Sequence, residues 1–258
     1  MKLFHDPRLH LLGRPGGPST TNHKRLASIL DYDGLQSPPT ALDVNTKTPG
    51  QIGMFGNDTL GNCCAATIAG KLVTDAAQNG FIIDFATSEV TRFYRGSGYD
   101  GTEATDNGWT LAGAGYAAQH DGLTDTVGQR HVLGPATQVN YLNDVEVRTA
   151  MLYLGALRVG VNLAQIHQHQ DVWDDDGLDT SDRKPGSWGG HSLLNVQLDE
   201  EGGLFRTWGM RKRFTKRFWN RYVDEVMGDI DPVWCSDTRL SPAGFNIADL
   251  LASMPLYR

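Results

Sequence analysis

Two hydrophobic periods divide the chain. From residue 63 the run CCAATIAGKLVTDAAQNG is rich in alanine and small apolar residues and closes on Asn79-Gly80. It follows the turn and cap chemistry of Asn57-Asp58-Thr59-Leu60-Gly61-Asn62, and reads as a helix of about four turns. Its small-residue surface predicts burial on several sides and a central place in the fold. A second helix is expected from Thr87/Ser88, carrying Val90, Phe93 and Tyr94. A third follows Asp106-Asn107-Gly108, carries Leu111, Tyr116 and Ala117, and ends by Gly122. A fourth spans 145–154, capped by Asp144, with Val147, Ala150, Met151 and Leu154 on one face.

After residue 155 the period changes from helical to alternating. ALRVGVNLA (156–164) reads as a strand. HSLLNVQL (191–198), the turn at 199–203 and LFRTWG (204–209) read as a β-hairpin. A short helix over 215–222 and a strand over 222–230 follow, with one continuous helix as the alternative. Helices first and strands afterwards imply an α+β protein. Residues 13–50 are broken by Gly13, Pro15, Gly16, Gly17, Pro18, Pro38, Pro39, Pro49 and Gly50, with one helical turn expected over Leu26 to Leu30. We divide the chain into an extended segment (1–42) and a domain (43–258). The domain has a helical lobe at about 57–140, a β lobe at about 141–235 and a tail at 236–258. No internal repeat is evident.

Composition narrows the partners. The chain has 258 residues, 40% hydrophobic and 21% charged, enough for a substantial core. Its net charge of −7 argues against nucleic acid as a partner. No apolar run approaches the length of a membrane span, and the N-terminus has neither an uninterrupted apolar stretch nor a cleavage site. The three cysteines, Cys63, Cys64 and Cys235, do not form a disulfide framework and suit a reducing compartment.

The candidate chemistry rests on Cys63 and His191. Cys63 opens the first helix, where unpaired N–H groups stabilise a thiolate and can hold an oxyanion. A buried, inert cysteine is the alternative reading. His191 opens an apolar strand after Trp188-Gly189-Gly190, where the absence of side chains lets a substrate approach. A cysteine with a histidine far along the chain is a recognised nucleophile–base arrangement.

In this order the residues resemble those of papain-like cysteine peptidases, of the divergent kind found in bacteria and bacteriophages. Asn57 stands six residues before Cys63, in place of the family's glutamine. Asp106-Asn107-Gly108 falls where a Gly-Gly region shapes the cleft. A helix–strand unit precedes Gly189-Gly190-His191, and the hairpin ends in Thr207-Trp208-Gly209. The matching order covers roughly residues 43–230. The resemblance implies a two-lobed fold, with a Cys-bearing central helix in a helical lobe and an antiparallel β lobe. Cys63 would be the nucleophile, His191 the general base, Asn57 an oxyanion donor beside the Cys63 N–H, and Trp208 a shield over the histidine. Asn107, Gly108, Gly189 and Gly190 would line the substrate cleft. It implies peptide or protein substrates and no cofactor.

Two departures stand out. Arg206 occupies the place of the orienting asparagine, two residues before the tryptophan, and has no acceptor to offer. Thr207 or Asp224 would have to substitute. Cys64 replaces the usual tryptophan after the nucleophile and reads as a small core residue. Papain-like precursors carry a long inhibitory extension, whereas 62 residues precede Cys63 here. This segment reads as draped over the domain, with a short cleft plug as the alternative.

Other features have plainer readings. DVWDDDGLDTSD (171–182) is a solvated acidic loop, able to favour basic substrates if it lines the cleft. RKRFTKRFWNR (211–221) is one amphipathic helix with Phe214, Phe218 and Trp219 buried and its charges solvated or facing the acidic loop. His167-x-His169 is half a metal site without a completing ligand set, so no metal is assigned. The expected location is the cytoplasm of a bacterial or phage-infected cell, or a virion. The rival to a thiol hydrolase is an inactive scaffold serving as a binding or assembly component; a cell-wall amidase is disfavoured by the long Cys–His spacing.

Overall fold

In the computed structural model, which describes residues 12–15, 17, 24–28, 37–50 and 52–234, five helices pack against a large sheet. Cys235 and the tail lie outside these residues. The helices are α1 (Cys63–Gln78), α2 (Thr87–Tyr94), α3 (Leu111–His120), α4 (Asp144–Leu154) and α5 (Lys216–Tyr222). The strands are β1 (Leu42–Asp43), β2 (Leu123–Thr124), β3 (Arg130–His131), β4 (Ala136–Gln138) and β5 (Leu157–Leu163). They continue with β6 (Val172–Trp173), β7 (Gly189–Leu198), β8 (Gly202–Thr207), β9 (Met210–Thr215) and β10 (Val223–Asp229). No helix among the described residues is long and apolar enough to cross a membrane.

The main sheet runs β4-β10-β5-β7-β8-β9-β6, with β1 on β7. All pairings are antiparallel except β6 with β9. β7 is central, and most of its residues are buried because α1 covers it on one side and the β5 and β8 neighbours flank it. β2 and β3 form a separate small hairpin sheet.

Two hydrophobic cores result. One gathers α1, α2 and α3 around Ile68, Leu72, Phe93 and Leu111. The other fills the sheet side with Val159, Leu193, Phe205, Trp173 and Phe218. The helical and strand periods of the sequence thus each build their own core. Buried polar groups bridge them. Lys71 Nζ donates to Asp75 (2.6 Å) and to the carbonyls of Leu154 and Ala156. Arg158 donates to Asp229 and to the Leu111 carbonyl.

Three expectations need correction. α4 is capped by Asn143, whose side chain accepts from the N–H groups of Val145 and Glu146; Asp144 is its first helical residue. Residues 211–221 are not one helix: Phe214 lies in β9 and only 216–222 are helical. The aromatic spacing misled because Phe214 and Phe218 meet from a strand and a helix across the corner at Thr215, which caps α5. β4 lies within the stretch assigned to the helical lobe, yet it pairs with β10 in the main sheet. The helical turn expected from Leu26 is present as a 3-10 turn over Leu26–Ser28, and residues 29 and 30 lie outside the described chain.

Candidate active site

α1 begins on Cys63, but Asn62 does not cap it through its side chain and instead donates its amide to the Phe55 carbonyl (2.8 Å). Asp106 fixes the approach to this helix. Its carboxylate accepts from the Gly61 N–H at 2.9 and 3.0 Å and from the Tyr94 hydroxyl at 2.6 Å. Tyr94 in turn accepts from the Gly108 N–H (2.9 Å). The Asp106–Gly108 turn therefore acts through Asp106 as an anchor for the strand of chain leading into Cys63. Asn107 is exposed and bonds only its local turn, through Ala104.

β7 delivers His191 opposite α1. A chain of hydroxyls ties the two elements: Ser192 Oγ donates to Thr67 Oγ1 (3.0 Å), and Thr67 donates to the Cys63 carbonyl (2.8 Å). Thr67 lies one turn after Cys63 and Ser192 directly after His191, so this link sets the register between the two candidate catalytic residues. Neither stood out in the sequence; a serine inside an apolar strand and a threonine four after the cysteine were the available signals.

His191 is fully buried. Its Nε2 bonds Thr207 Oγ1 at 2.7 Å. With Nε2–H donating to the hydroxyl, Nδ1 is the nitrogen left for another partner, and it makes no hydrogen bond to any described residue. Trp208 stacks on the ring at 4.2 Å and 17°. Trp208 and Gly209 both have positive φ (47° and 67°) and connect β8 to β9, pairing Thr207 with Met210. Left-handed backbone at both central positions is what a two-residue hairpin of this twist demands, and it is costly for a tryptophan. Contacts with His191, Trp173 and Trp188 hold it there.

The Cys63 sulfur is also buried. Burial raises its pKa, but hydrogen bonding by Cys64 and His191, the His191 charge and the Ser192 N–H outweigh it and hold the thiol well below its ordinary range. Burial and the neighbouring Cys63 thiolate push Cys64 well up, and it donates to the Trp109 carbonyl (3.0 Å). Asn57 is buried in a wall shared with Thr207 and Trp208.

The orienting contact thus comes from Thr207 instead of the residue before it. Arg206 is taken up elsewhere, donating to Asn45 Oδ1 (2.6 Å) and the Pro49 carbonyl (2.8 Å). Neighbouring strand residues face opposite ways, so moving the acceptor by one position redirects it from the loop to the histidine. Asp224 is not a partner of His191: it receives Asn162 Nδ2 (2.7 Å) and pairs with Arg14 (2.8 Å). Much of the acidic loop's charge is already paired: Asp174 with Arg217, Asp175 and the exposed Asp179 with Arg221, and Asp176 and Asp182 with Arg183. His167 is buried beside Trp173, Phe218 and Tyr222, while His169 is exposed.

Residues 12–14 cross the cleft in extended form. Arg14 N donates to the Gly190 carbonyl (3.2 Å), and the Trp109 N–H donates to the Gly13 carbonyl (2.8 Å). A Cβ on Gly13 would collide with the Gly61 carbonyl, one on Gly108 with Gly13, and one on Gly189 with Leu12. These glycines allow close backbone approach, and here it is the chain's own segment that approaches. Residues 12–14 therefore pack against Gly61, two residues before Cys63, and against Gly190, next to His191.

No protein-family model matches the sequence, and no curated protein matches it. Solved structures do match. Xylellain, a cysteine protease from Xylella fastidiosa, is 11% identical with a TM-score of 0.65, covering 86% of this chain and 96% of its own. Procathepsin L 3 of Tenebrio molitor larval midgut is 13% identical with a TM-score of 0.56, over 81% and 75% of the two chains. A mite allergen structure concerning Blo t 1 and Der p 1 is 15% identical with a TM-score of 0.55, over 86% and 80%. The chain has the papain-like cysteine protease fold.

Proposed function

We propose that this protein is a thiol hydrolase that cleaves peptide or amide bonds through an acyl-enzyme on Cys63. The observation that carries the reading is the setting of His191. One ring nitrogen is engaged by Thr207 and one face is covered by Trp208, leaving Nδ1 for a sulfur whose pKa is depressed.

In this mechanism the Cys63 thiolate attacks the substrate carbonyl carbon, forming a C–S bond and a tetrahedral oxyanion. The Cys63 N–H, free of an intrahelical partner at the first helical position, and the Asn57 side-chain amide donate to that oxyanion. As the intermediate collapses, the C–N bond breaks and the His191 imidazolium gives its proton to the leaving amine. Water then attacks the thioester with neutral His191 accepting its proton. The C–S bond breaks, releasing the carboxylic acid and restoring the thiolate–imidazolium pair. Thr207 accepts from Nε2–H throughout and leaves Nδ1 as the nitrogen that exchanges the proton.

A substrate must displace residues 12–14, so the test uses the full chain and a Gly13→Val variant side by side on a broad peptide library, read by mass spectrometry. Cleavage by the parent chains that disappears in Cys63→Ala and in His191→Ala is the expected result. Cleavage unchanged by Cys63→Ala contradicts the reading. The scaffold alternative was motivated by Arg206, and that motive weakens once Thr207 serves the histidine.

A further inference from the structure

We infer that Asn62 is the positioning residue of the oxyanion site: its side-chain amide pins the strained turn at Phe55 and Gly56, and so fixes the place of Asn57. The inference rests on the reading of Asn57 as an oxyanion donor beside the Cys63 N–H, and adds the group that holds it there.

The need for such a group lies in Asn57 itself. Its side chain is buried, yet Oδ1 makes no hydrogen bond to any described residue. The amide is therefore placed by the backbone that carries it. That backbone is a tight turn from Met54 to Asn57, closed by the Asn57 N–H on the Met54 carbonyl (3.0 Å). Both central residues are left-handed, Phe55 with a φ of 57° and Gly56 with a φ of 80°. Glycine adopts this conformation freely, whereas a bulky residue does so only where its surroundings enforce it.

Two contacts enforce it. The Phe55 ring is buried and lies back over Gly53, where a Cβ would stand 2.7 Å from it. The Phe55 carbonyl accepts Asn62 Nδ2 at 2.8 Å, and Asn62 is fully buried. An amide facing a carbonyl must present its nitrogen, so the orientation of the Asn62 side chain is fixed. Between the two, the Gly56 carbonyl accepts from the N–H groups of Thr59 (3.1 Å) and Leu60 (2.9 Å). These bonds close residues 54–62 into one loop, which starts at the Asn57 turn and ends on the residue before Cys63.

Asn62 forgoes another role to make this bond. An asparagine before a helix ordinarily accepts an N–H of the first turn, and here no side-chain cap bond forms. The first-turn N–H groups of α1 stay unclaimed by it, as an oxyanion beside Cys63 requires. Removing the Asn62 amide frees the strained turn to relax and shifts Asn57 away from the helix N-terminus. A displaced donor slows the steps that build an oxyanion and leaves the sulfur untouched.

The test separates a reaction that builds an oxyanion from one that does not. In the full chain carrying Gly13→Val, acylation of Cys63 by p-nitrophenyl acetate is followed through p-nitrophenol release, with Cys63→Ala as the blank. Alkylation of Cys63 by iodoacetamide, a displacement at a saturated carbon, is measured on the same samples by peptide mass spectrometry. Asn62→Ala is expected to slow acylation about tenfold or more, as Asn57→Ala does, and to change alkylation by less than about twofold. Because Asn62 acts through Asn57, the double variant should be slower than Asn57→Ala by no more than about twofold. Unchanged acylation in either single variant, or losses that multiply in the double variant, overturns the inference. Asn62→Leu, which keeps the branching and loses the donor, guards against a folding defect of the alanine variant. Loss of alkylation together with acylation in both Asn62 variants assigns this residue to the helix or the sulfur, and also overturns the inference. A parent chain without Cys63-dependent acylation counts against the hydrolase reading, and the inference falls with it. A parent chain that is acylated, with Asn62→Ala its equal, counts against Asn62 alone.

Discussion

His191 Nε2 and Thr207 Oγ1 lie 2.7 Å apart, and this contact replaces the side-chain amide that the resemblance leads one to expect. A hydroxyl can accept from the imidazole but presents a smaller dipole than an amide oxygen. Thr207→Val removes a hydrogen bond to a group that carries charge during the reaction, a loss of roughly 1.5–3 kcal/mol. Turnover should fall about ten- to hundredfold, with Thr207→Ser retaining most of it. Circular dichroism melting separates this from unfolding; equal losses in Thr207→Val and Thr207→Ser would show that the hydroxyl is not the cause.

Thr67 and Ser192 should matter through position. Thr67→Val deletes the donor to the Cys63 carbonyl and leaves the Ser192 hydroxyl, buried beside it, without its acceptor. We expect a destabilisation of about 1–3 kcal/mol, measured by urea unfolding, together with a lower kcat. An unchanged midpoint and rate would remove this link from the account.

Asp106 is expected to be more sensitive than its exposed neighbour. Asp106→Ala strands the Gly61 N–H and the Tyr94 hydroxyl, while Asn107→Ala affects a local turn bond only. Asp106→Ala should slow the reaction of Cys63 and lower the melting temperature, and Asn107→Ala should change neither. Equal effects at the two positions would argue that the turn itself, and not the carboxylate, positions α1.

His167 makes stability depend on pH. Burial lowers its pKa to about 3, and its Nδ1 accepts the Ala164 N–H at 2.9 Å, which requires the neutral ring. An unfolded histidine titrates near 6.5, so below that pH the unfolded state binds a proton that the folded state refuses. Stability is therefore lost as pH falls from about 6.5 toward about 3, and the loss reaches a few kcal/mol. Urea midpoints of the parent chain and His167→Gln between pH 7 and 4 test this. The parent should lose stability more steeply; parallel curves would contradict it.

Much of the scaffold was legible because its signals are local. The alanine-rich run after Asn62 marks α1, and Gly189-Gly190-His191 opens β7, the central strand. The residues that finish the site were only partly legible: Thr207 and Asp224 both stood as partners for His191, and contacts between distant elements decide between them. Nothing in the sequence tells that strand alternation sends Arg206 to Asn45 and Thr207 to His191, or that Asp224 faces Arg14. Arg14 sits in a Gly-Pro-rich stretch with no period of its own. Only its burial against two carboxylates distinguishes it from a linker residue.

The most direct test of the Cys63–His191 pair is the pH profile of Cys63 alkylation by iodoacetamide, in the Gly13→Val chain with and without His191→Ala. A depressed thiol pKa predicts fast alkylation at pH 6, with a rate nearly flat up to neutrality and a large drop at that pH when His191 is removed. Alkylation that rises only toward the ordinary thiol value of about 8.5, and is indifferent to His191, would contradict an activated nucleophile at Cys63.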